Sequence, residues 1–497
     1  MRFLKHALFF VSLFALVTNG TAQTIDFSPS CLQAQEYIYQ LRLKESSTLL
    51  EKASVEEKDN VVVDYLKVVS SMLDYVTSEN NSTFIRFMVV RDLAIDRIKK
   101  CDDHNGYKDF LLEEIYFYSS VANGKKNKAV AAANDVRNAY NHGSAVLKNY
   151  PSFTAAKKTM GLLQSGFGSL PNSYQRMVRF LGYESNMNQG IGMLEDFIND
   201  KNVPDEWSLM QKEAAFYLAS INLYLKNDKT TAWNQINALT SDYRSNPLSA
   251  FARVNFADKC KKNEEVIKTI RGLPTDNRYQ TIPFLWFMMG KAKLQRLDKD
   301  ANSYLTRFVN ETEGESYLKS CYQKLSWHAL IQGNEAKYKE YKSKILSCGS
   351  TGLEEDAQAQ KFAKEVQAPN LQLLKTRMLY DGGYYKLALD IIRPLKSRNF
   401  ETNILKTEYS YRKARIYDAL GREDIATAFY KGAIERGKTL NAYYASYSAL
   451  YLAEMYESNE QINEARHYFK MATTFSANKQ YKKSIEHRAK SGLNRTK

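Results

Sequence analysis

Few residues in this chain of 497 are arranged for chemistry. The histidines are His6, His104, His142, His328, His467 and His487, and none stands in HExxH or HxH spacing, so no metal-ligand set is expected. The cysteines, Cys31, Cys101, Cys260, Cys321 and Cys348, include no CxxC pair, which removes a thioredoxin-like motif and a zinc ribbon. Gly166-Phe167-Gly168 opens like a dinucleotide fingerprint, but Pro171 occupies the third glycine's place and no strand precedes it. A phosphate-cradling GxxxxGK[ST] loop and a GxSxG nucleophile elbow are both missing. The carboxylate pairs Glu113-Glu114 and Glu354-Glu355 fall in segments that read as solvated helix or linker. The expectation is a protein that is not an enzyme and holds no metal or cofactor. Aromatic side chains are what it has in excess, with 34 Tyr. Tyr37, Tyr39, Tyr116, Tyr118, Tyr384, Tyr385, Tyr443, Tyr444 and Tyr447 could line a groove and stack on a peptide or sugar. Alternatively, tyrosine fills the space between helices with its hydroxyl at the rim.

The composition says what must position these groups. With 44% hydrophobic and 12% aromatic residues, the chain is too apolar for disorder. With 22 Gly and 9 Pro it is too poor in turn residues for a many-stranded or linker-rich protein. A long run of helices is expected. Residues 1–22 read as a secretory signal peptide: Arg2 and Lys5 precede an uncharged apolar run, and small residues end at Ala22. That run is shorter than the ~20 residues that span a bilayer, and no later stretch is long and apolar enough. The formal net charge is +15, much of it in the tail at Lys479, Lys482, Lys483, Arg488, Lys490, Arg495 and Lys497. The tail reads as a solvated end-cap helix, with peripheral membrane contact as the sharper alternative. No nucleic-acid recognition motif is present, and nucleic acid is not expected as a partner.

One spacing recurs along the chain. Ala414, Tyr417, Gly421, Ala426, Tyr430 and Ala433 stand at offsets 0, 3, 7, 12, 16 and 19. Ala453, Tyr456, Glu460, Ala465, Phe469 and Ala472 repeat them, as do the sets beginning at Thr376 and Ser220. The set from Val254 fits more loosely, with Lys261 at the turn. Offsets 0 and 3 share one face of a first helix. Offset 7 is a turn, where Gly or Asn tolerates positive φ. Offsets 12, 16 and 19 form the apolar stripe of a second helix. Small residues at 0 and 12 let the two helices approach.

These positions resemble the tetratricopeptide repeat, without most of its Trp and Pro. The resemblance implies an all-α fold, an α-solenoid of stacked helical hairpins wound as a right-handed superhelix, whose hairpins touch mainly their neighbours. It also implies a concave face lined by first helices, near −6, −3, +1 and +4 from offset 0. The positions so placed are Asn370, Leu373, Arg377 and Tyr380; Glu408, Tyr411, Arg415 and Asp418; and Tyr447, Leu450, Glu454 and Glu457. Among them Asn370, Arg377, Tyr380, Tyr411 and Arg415 are the candidate partner-binding residues, with Arg377 and Arg415 gripping a peptide carboxylate and the tyrosines giving apolar contact. A sharper likeness is carried by Gly166-Phe167-Gly168-Ser169-Leu170-Pro171, Val178-Arg179-Phe180-Leu181-Gly182-Tyr183 and Gly190-Ile191-Gly192-Met193-Leu194. These stretches resemble the tetratricopeptide repeat domain 39 and inclusion-body clearance family, over roughly residues 110–490. This chain has Leu-Pro-Asn where that family has Leu-Pro-Pro.

The resulting division is a signal peptide at 1–22, N-terminal hairpins at 23–165, central divergent hairpins at 166–348, a linker at 349–370, C-terminal repeats at 371–475 and a basic end cap at 476–497. The expected function is an exported, periplasmic or secreted scaffold that binds a protein or peptide in its concave face. The alternative is a structural part of a cell-envelope assembly, acting through the convex face and the basic tail. Cys321 and Cys348 fall at the same open end of one hairpin, where either a disulfide or two free thiols would fit.

Overall fold

The computed structural model describes residues 23–102, 105–170, 172–476 and 481–496, with backbone alone at 172–174 and 177. The expected signal peptide at 1–22, together with His104, Pro171, Lys479 and Lys497, lies outside the described residues. Among the described residues there is no strand, only an isolated bridge between Thr24 and Asn60. The helices pair in order as α1 (Pro29–Tyr39) with α2 (Leu43–Glu56), α3 (Val61–Ser78) with α4 (Asn81–Ile98), and α5 (Tyr107–Lys125) with α6 (Ala129–Asn149). Next α7 (Lys157–Gly168) pairs with α9 (Met187–Asn199), with α8 (Asn172–Phe180) in their connection. There follow α10 (Ser208–Tyr224) with α11 (Lys229–Leu239), α12 (Pro247–Lys259) with α13 (Asn263–Arg271), α14 (Phe284–Gln295) with α15 (Ala301–Glu311), and α16 (Leu318–Ile331) with α17 (Glu335–Ser347). After a single α18 (Glu354–Lys364) come α19 (Leu371–Asp381) with α20 (Tyr385–Ile392), α21 (Asn403–Ala419) with α22 (Glu423–Gly437), α23 (Tyr444–Ser458) with α24 (Ile462–Phe475), and the capping α25 (Lys482–Arg495). The fold is an all-α solenoid of tetratricopeptide-like hairpins.

The expected turn residues explain the pairing. Asn227, Lys261, Gly383, Gly421 and Glu460 all have left-handed backbone, with φ of 58°, 57°, 85°, 72° and 58°. Leu41, Asn127, Leu297 and Gly333 do the same in hairpins that lack the full spacing. The residue after most of these turns donates its N–H to a carbonyl five positions back, as in Lys262 to Ala257, Tyr384 to Leu379 and Arg422 to Tyr417. This Schellman closure satisfies the end of the first helix and reverses the chain. Thr376, Ala414 and Ala453 at offset 0, and Ala232, Ala388, Ala426 and Ala465 at offset 12, are fully buried where the two helices meet. Ile236, Ile392, Tyr430 and Phe469 at offset 16 are buried beneath them.

Contacts are less local than expected. The Gln280 N–H donates to the Leu41 carbonyl at 2.7 Å, and the Tyr39 hydroxyl donates to Glu213 at 2.9 Å. The turn at Asn127 packs on Gly352, and that at Lys261 on Gly383. Superhelical curvature brings hairpins far apart in sequence turn to turn, so the molecule closes on itself. The segment 349–370, expected as a linker, contains α18. Its buried Asp356 accepts the N–H groups of Tyr317 and Ser320 at 2.7 and 2.8 Å, capping the start of α16.

The pair Glu113-Glu114, expected in solvent, is fully buried, because α3, α6 and α7 all pack on α5. Lys158 is buried too, and its ammonium donates to Glu114 at 2.5 Å and Glu213 at 2.9 Å. Tyr39 and Tyr118 add donors to Glu213 at 2.9 and 3.1 Å, so each charge in this cluster is answered. Glu113 has no hydrogen-bond partner. Burial first, and the neighbouring Glu114 second, hold its carboxyl well above the usual range, so it is neutral in the fold.

Two outcomes follow from these observations. Gly421 is left-handed with open space around it, so Gly421→Ala costs about 1–2 kcal/mol. A Cβ at Gly383 would lie 2.3 Å from the Lys261 carbonyl, so Gly383→Ala costs more and lowers the urea midpoint further; equal losses contradict the closure. Glu113 binds a proton in the fold that the unfolded chain releases above its ordinary value. Wild-type stability is therefore drained as pH rises from about 4.5, and Glu113→Gln removes that loss. The variant should match wild type near pH 4 and exceed it in thermal midpoint at pH 8; a pH-independent difference rules this out.

Candidate ligand-binding site

The first helices α12, α14, α16, α19, α21 and α23, with α18, surround a lumen that holds two adjoining chambers. The larger, about 480 Å³, has an apolar wall of Phe287, Met288, Trp327 and Phe362. Glu354, Glu355 and Glu365 stand at its α18 side. The smaller, about 230 Å³, is walled by Tyr380, Tyr411, Tyr443, Tyr447, Tyr451 and Tyr481. Arg377, Asp381, Arg412, Tyr443 and Tyr481 belong to both, so the chambers adjoin across these side chains.

The smaller chamber gathers Lys261, Arg377, Arg412 and Arg415 around one carboxylate, Asp381. Their partners differ. The Arg412 Nε donates to Glu408 at 2.7 Å, one turn back on α21. Arg377 approaches Asp381 at 3.5 Å and lies over the Trp327 ring at 4.8 Å. Arg415 has no ion pair among the described residues. Its guanidinium stacks 3.8 Å from the Tyr451 ring centroid and 4.7 Å from that of Tyr380, and donates to the Tyr411 hydroxyl at 2.8 Å. Lys261 also has no ion pair there. Its ammonium lies 3.5 Å over the Tyr380 ring and donates to the Tyr380 carbonyl at 3.3 Å. Burial and the nearby Arg415 push its pKa down to about 7. Tyrosine faces attract cations but do not neutralise them, so Arg415 keeps its charge available to a ligand, and Lys261 does so below about pH 7.

All five candidate residues stand at these chambers. Arg377, Tyr380, Tyr411 and Arg415 line the smaller and Asn370 the larger. The Asn370 side-chain oxygen is engaged in capping α19, accepting the N–H groups of Gln372 and Leu373 at 3.1 and 3.2 Å. Leu373 and Leu450, expected on the concave face, are instead core residues, exposed by only 1% and 0%. Apolar side chains at those positions turn toward the adjacent hairpins. Glu408 is engaged by Arg412, and Asp418 accepts the Tyr430 hydroxyl at 2.8 Å.

The tyrosines divide between the two readings. Tyr443, Tyr444 and Tyr447 line the lumen. Tyr39 and Tyr118 belong to the buried Lys158 cluster, Tyr116 stacks on His142, and Tyr37 lies under Arg42. Tyr384 ties the α12–α13 turn to the α19–α20 turn, accepting from Asn263 at 3.0 Å and donating to Glu264 at 2.6 Å. Lys261, Arg412, Tyr451 and Tyr481 complete the site without having been expected in it. Lys261 carried the one available signal, a charged residue where the repeat wants Gly or Asn.

No group of three or more His, Cys, Asp or Glu among the described residues is placed to hold a metal ion. No family model matches this sequence, and no curated protein matches it either. Among solved structures, "Structure of Naa15/Naa10 bound to HypK-THB" is 12% identical with a TM-score of 0.24, covering 94% of this chain and 73% of that one. "Human IFIT1 dimer with m7Gppp-AAAA" is 14% identical with a TM-score of 0.28, covering 83% of this chain and 90% of that one. Scores this low transfer neither an alignment nor a function.

All five cysteines are free. The buried Cys321 thiol donates to the Leu305 carbonyl at 3.3 Å. Denatured, unreduced protein should titrate five thiols, and a count of three would contradict this by showing one disulfide.

Proposed function

We propose that this protein is an exported, non-enzymatic scaffold that binds a peptide or protein partner in the concave lumen. The observation that carries this reading is the pair of adjoining chambers lined by the first helices, with Arg377, Tyr380, Tyr411 and Arg415 lining the smaller. An apolar wall with a few converging polar groups is what a ligand site needs. Export is read from the sequence of residues 1–22 alone, and the proposal takes the periplasm or the exterior of a bacterial envelope as the scaffold's setting. The likeness to the tetratricopeptide repeat domain 39 family bears on the architecture and brings no activity with it.

The tail argues for the lumen over the convex face. Arg488 forks onto Glu454 at 2.6 and 2.8 Å, and Arg495 onto Glu457 at 2.7 and 2.8 Å. These two arginines hold α25 against α23 and leave the tail less free charge for a membrane than its composition implies. Lys482 and Lys490 also lie within 3.8 Å of Glu486.

The test is capture from native envelope extract by the immobilised full chain. The double variant Arg377→Glu/Arg415→Glu, checked for wild-type helicity by circular dichroism, should lose the bound protein or peptide. Undiminished capture by the variant would remove the lumen as the binding face.

A further inference from the structure

We propose that Lys261 and Arg415 form a subsite that holds one carboxylate at an end of the ligand. This rests on the lumen being the binding face and names the chemistry of its smaller chamber. It also shifts the grip from the pair Arg377 and Arg415 to a pair drawn from two hairpins far apart in sequence.

The partners of the four cations carry the inference. Arg412 has Glu408 and Arg377 has Asp381, so these two need no ligand charge. Arg415 and Lys261 share the Tyr380 ring, lie beside the same chamber, and have no carboxylate within 4 Å among the described residues. Asp381 and Asp418 act on both from beyond ion-pair distance, and a cation withdrawn from water with no carboxylate in contact costs free energy that a bound anion returns. The guanidinium fork and the point-like ammonium suit a planar carboxylate. The chamber, about 230 Å³ with tyrosine walls, takes a group of roughly aromatic side-chain size next to that carboxylate. The carboxylates Glu354, Glu355 and Glu365 beside the larger chamber repel a second negative end, so the far part of the ligand is neutral or basic. Such a carboxylate comes from a peptide C-terminus or an acidic sugar.

The subsite also has a pH signature. Lys261 faces Arg415 and Asp418 from α21, Asp381 from α19, Asp258 from α12 and Lys229 from α11, with the Tyr380 and Tyr385 rings over it. Asp381 is held below its usual range, so it stays charged at neutral pH despite its burial. Below pH 7 Lys261 is charged with or without ligand, and affinity is flat. Above that, the free ammonium loses its proton while a bound carboxylate holds it on. Binding then takes up a proton and weakens with rising pH, by up to about tenfold per unit.

The probes are N-acetyltyrosine, N-acetyltyrosinamide, glucuronate and glucose, tested on the full chain by saturation-transfer NMR and thermal shift. N-acetyltyrosine should bind and its amide should not. Glucuronate binding in its place would identify the sugar source, with glucose as the uncharged control. Arg415→Met should abolish binding. Lys261→Gln should weaken it and flatten the pH dependence between pH 7 and 9, which mere structural damage would not do. Binding of neither carboxylate, or equal binding of acid and amide, overturns the subsite. A partner captured equally by wild type, Lys261→Gln and Arg415→Met overturns the subsite while leaving the lumen as binding face. Carboxylate binding with no protein or peptide captured keeps the subsite and overturns the partner reading.

Discussion

At most hairpin turns one residue sits in left-handed backbone, and its neighbour's N–H closes on a carbonyl five residues back. This local constraint fixes the angle at which the second helix leaves the first, and therefore the pitch of the superhelix. The pitch in turn decides which distant turns meet. Lys261 and Gly383 are both such residues, and they touch: the glycine leaves no room for a side chain against the lysine carbonyl. From that contact the Lys261 ammonium reaches over the Tyr380 ring, and Tyr384 reaches back to Asn263 and Glu264. The lumen site exists because this seam closes.

The molecule buries charge in two contrasting ways. Around Lys158, two carboxylates and a ring of hydroxyls answer every charge except that of Glu113, which stays protonated. Such a cluster is complete and has nothing left to offer a ligand. Around Tyr380, the cations Lys261 and Arg415 rest on aromatic faces with no carboxylate in contact. The first arrangement ties α5, α7 and α10 into one core. The second leaves a polar, walled chamber open to an anion.

Much of the fold was legible because hairpin architecture is written locally. Small residues at offsets 0 and 12, a turn at offset 7 and bulk at offset 16 follow from two helices packing through one reversal. Even Glu460 and Lys261, poor residues for a left-handed turn, adopt it as their place in the spacing requires. The candidate residues on α19 and α21 were legible for the same reason. Lys261 was not, since its place beside Tyr380 depends on a contact 119 residues away. Nor was the burial of Glu113 and Glu114, since Lys158, which pairs with Glu114, lies on another hairpin. Leu373 and Leu450 went to the core because a repeat's ideal groove positions hold only when the residue there is polar or aromatic at the tip.

Closure of the superhelix is the central claim, and lysine cross-linking of the dilute monomer followed by mass spectrometry tests it most directly. Lys262 and Lys386 flank the seam between Lys261 and Gly383, and Lys128 and Lys361 flank the contact of Asn127 with Gly352. A closed superhelix predicts intramolecular links between both pairs. Links confined to adjacent hairpins, with neither pair recovered, would describe an open solenoid and contradict the lumen on which the function rests.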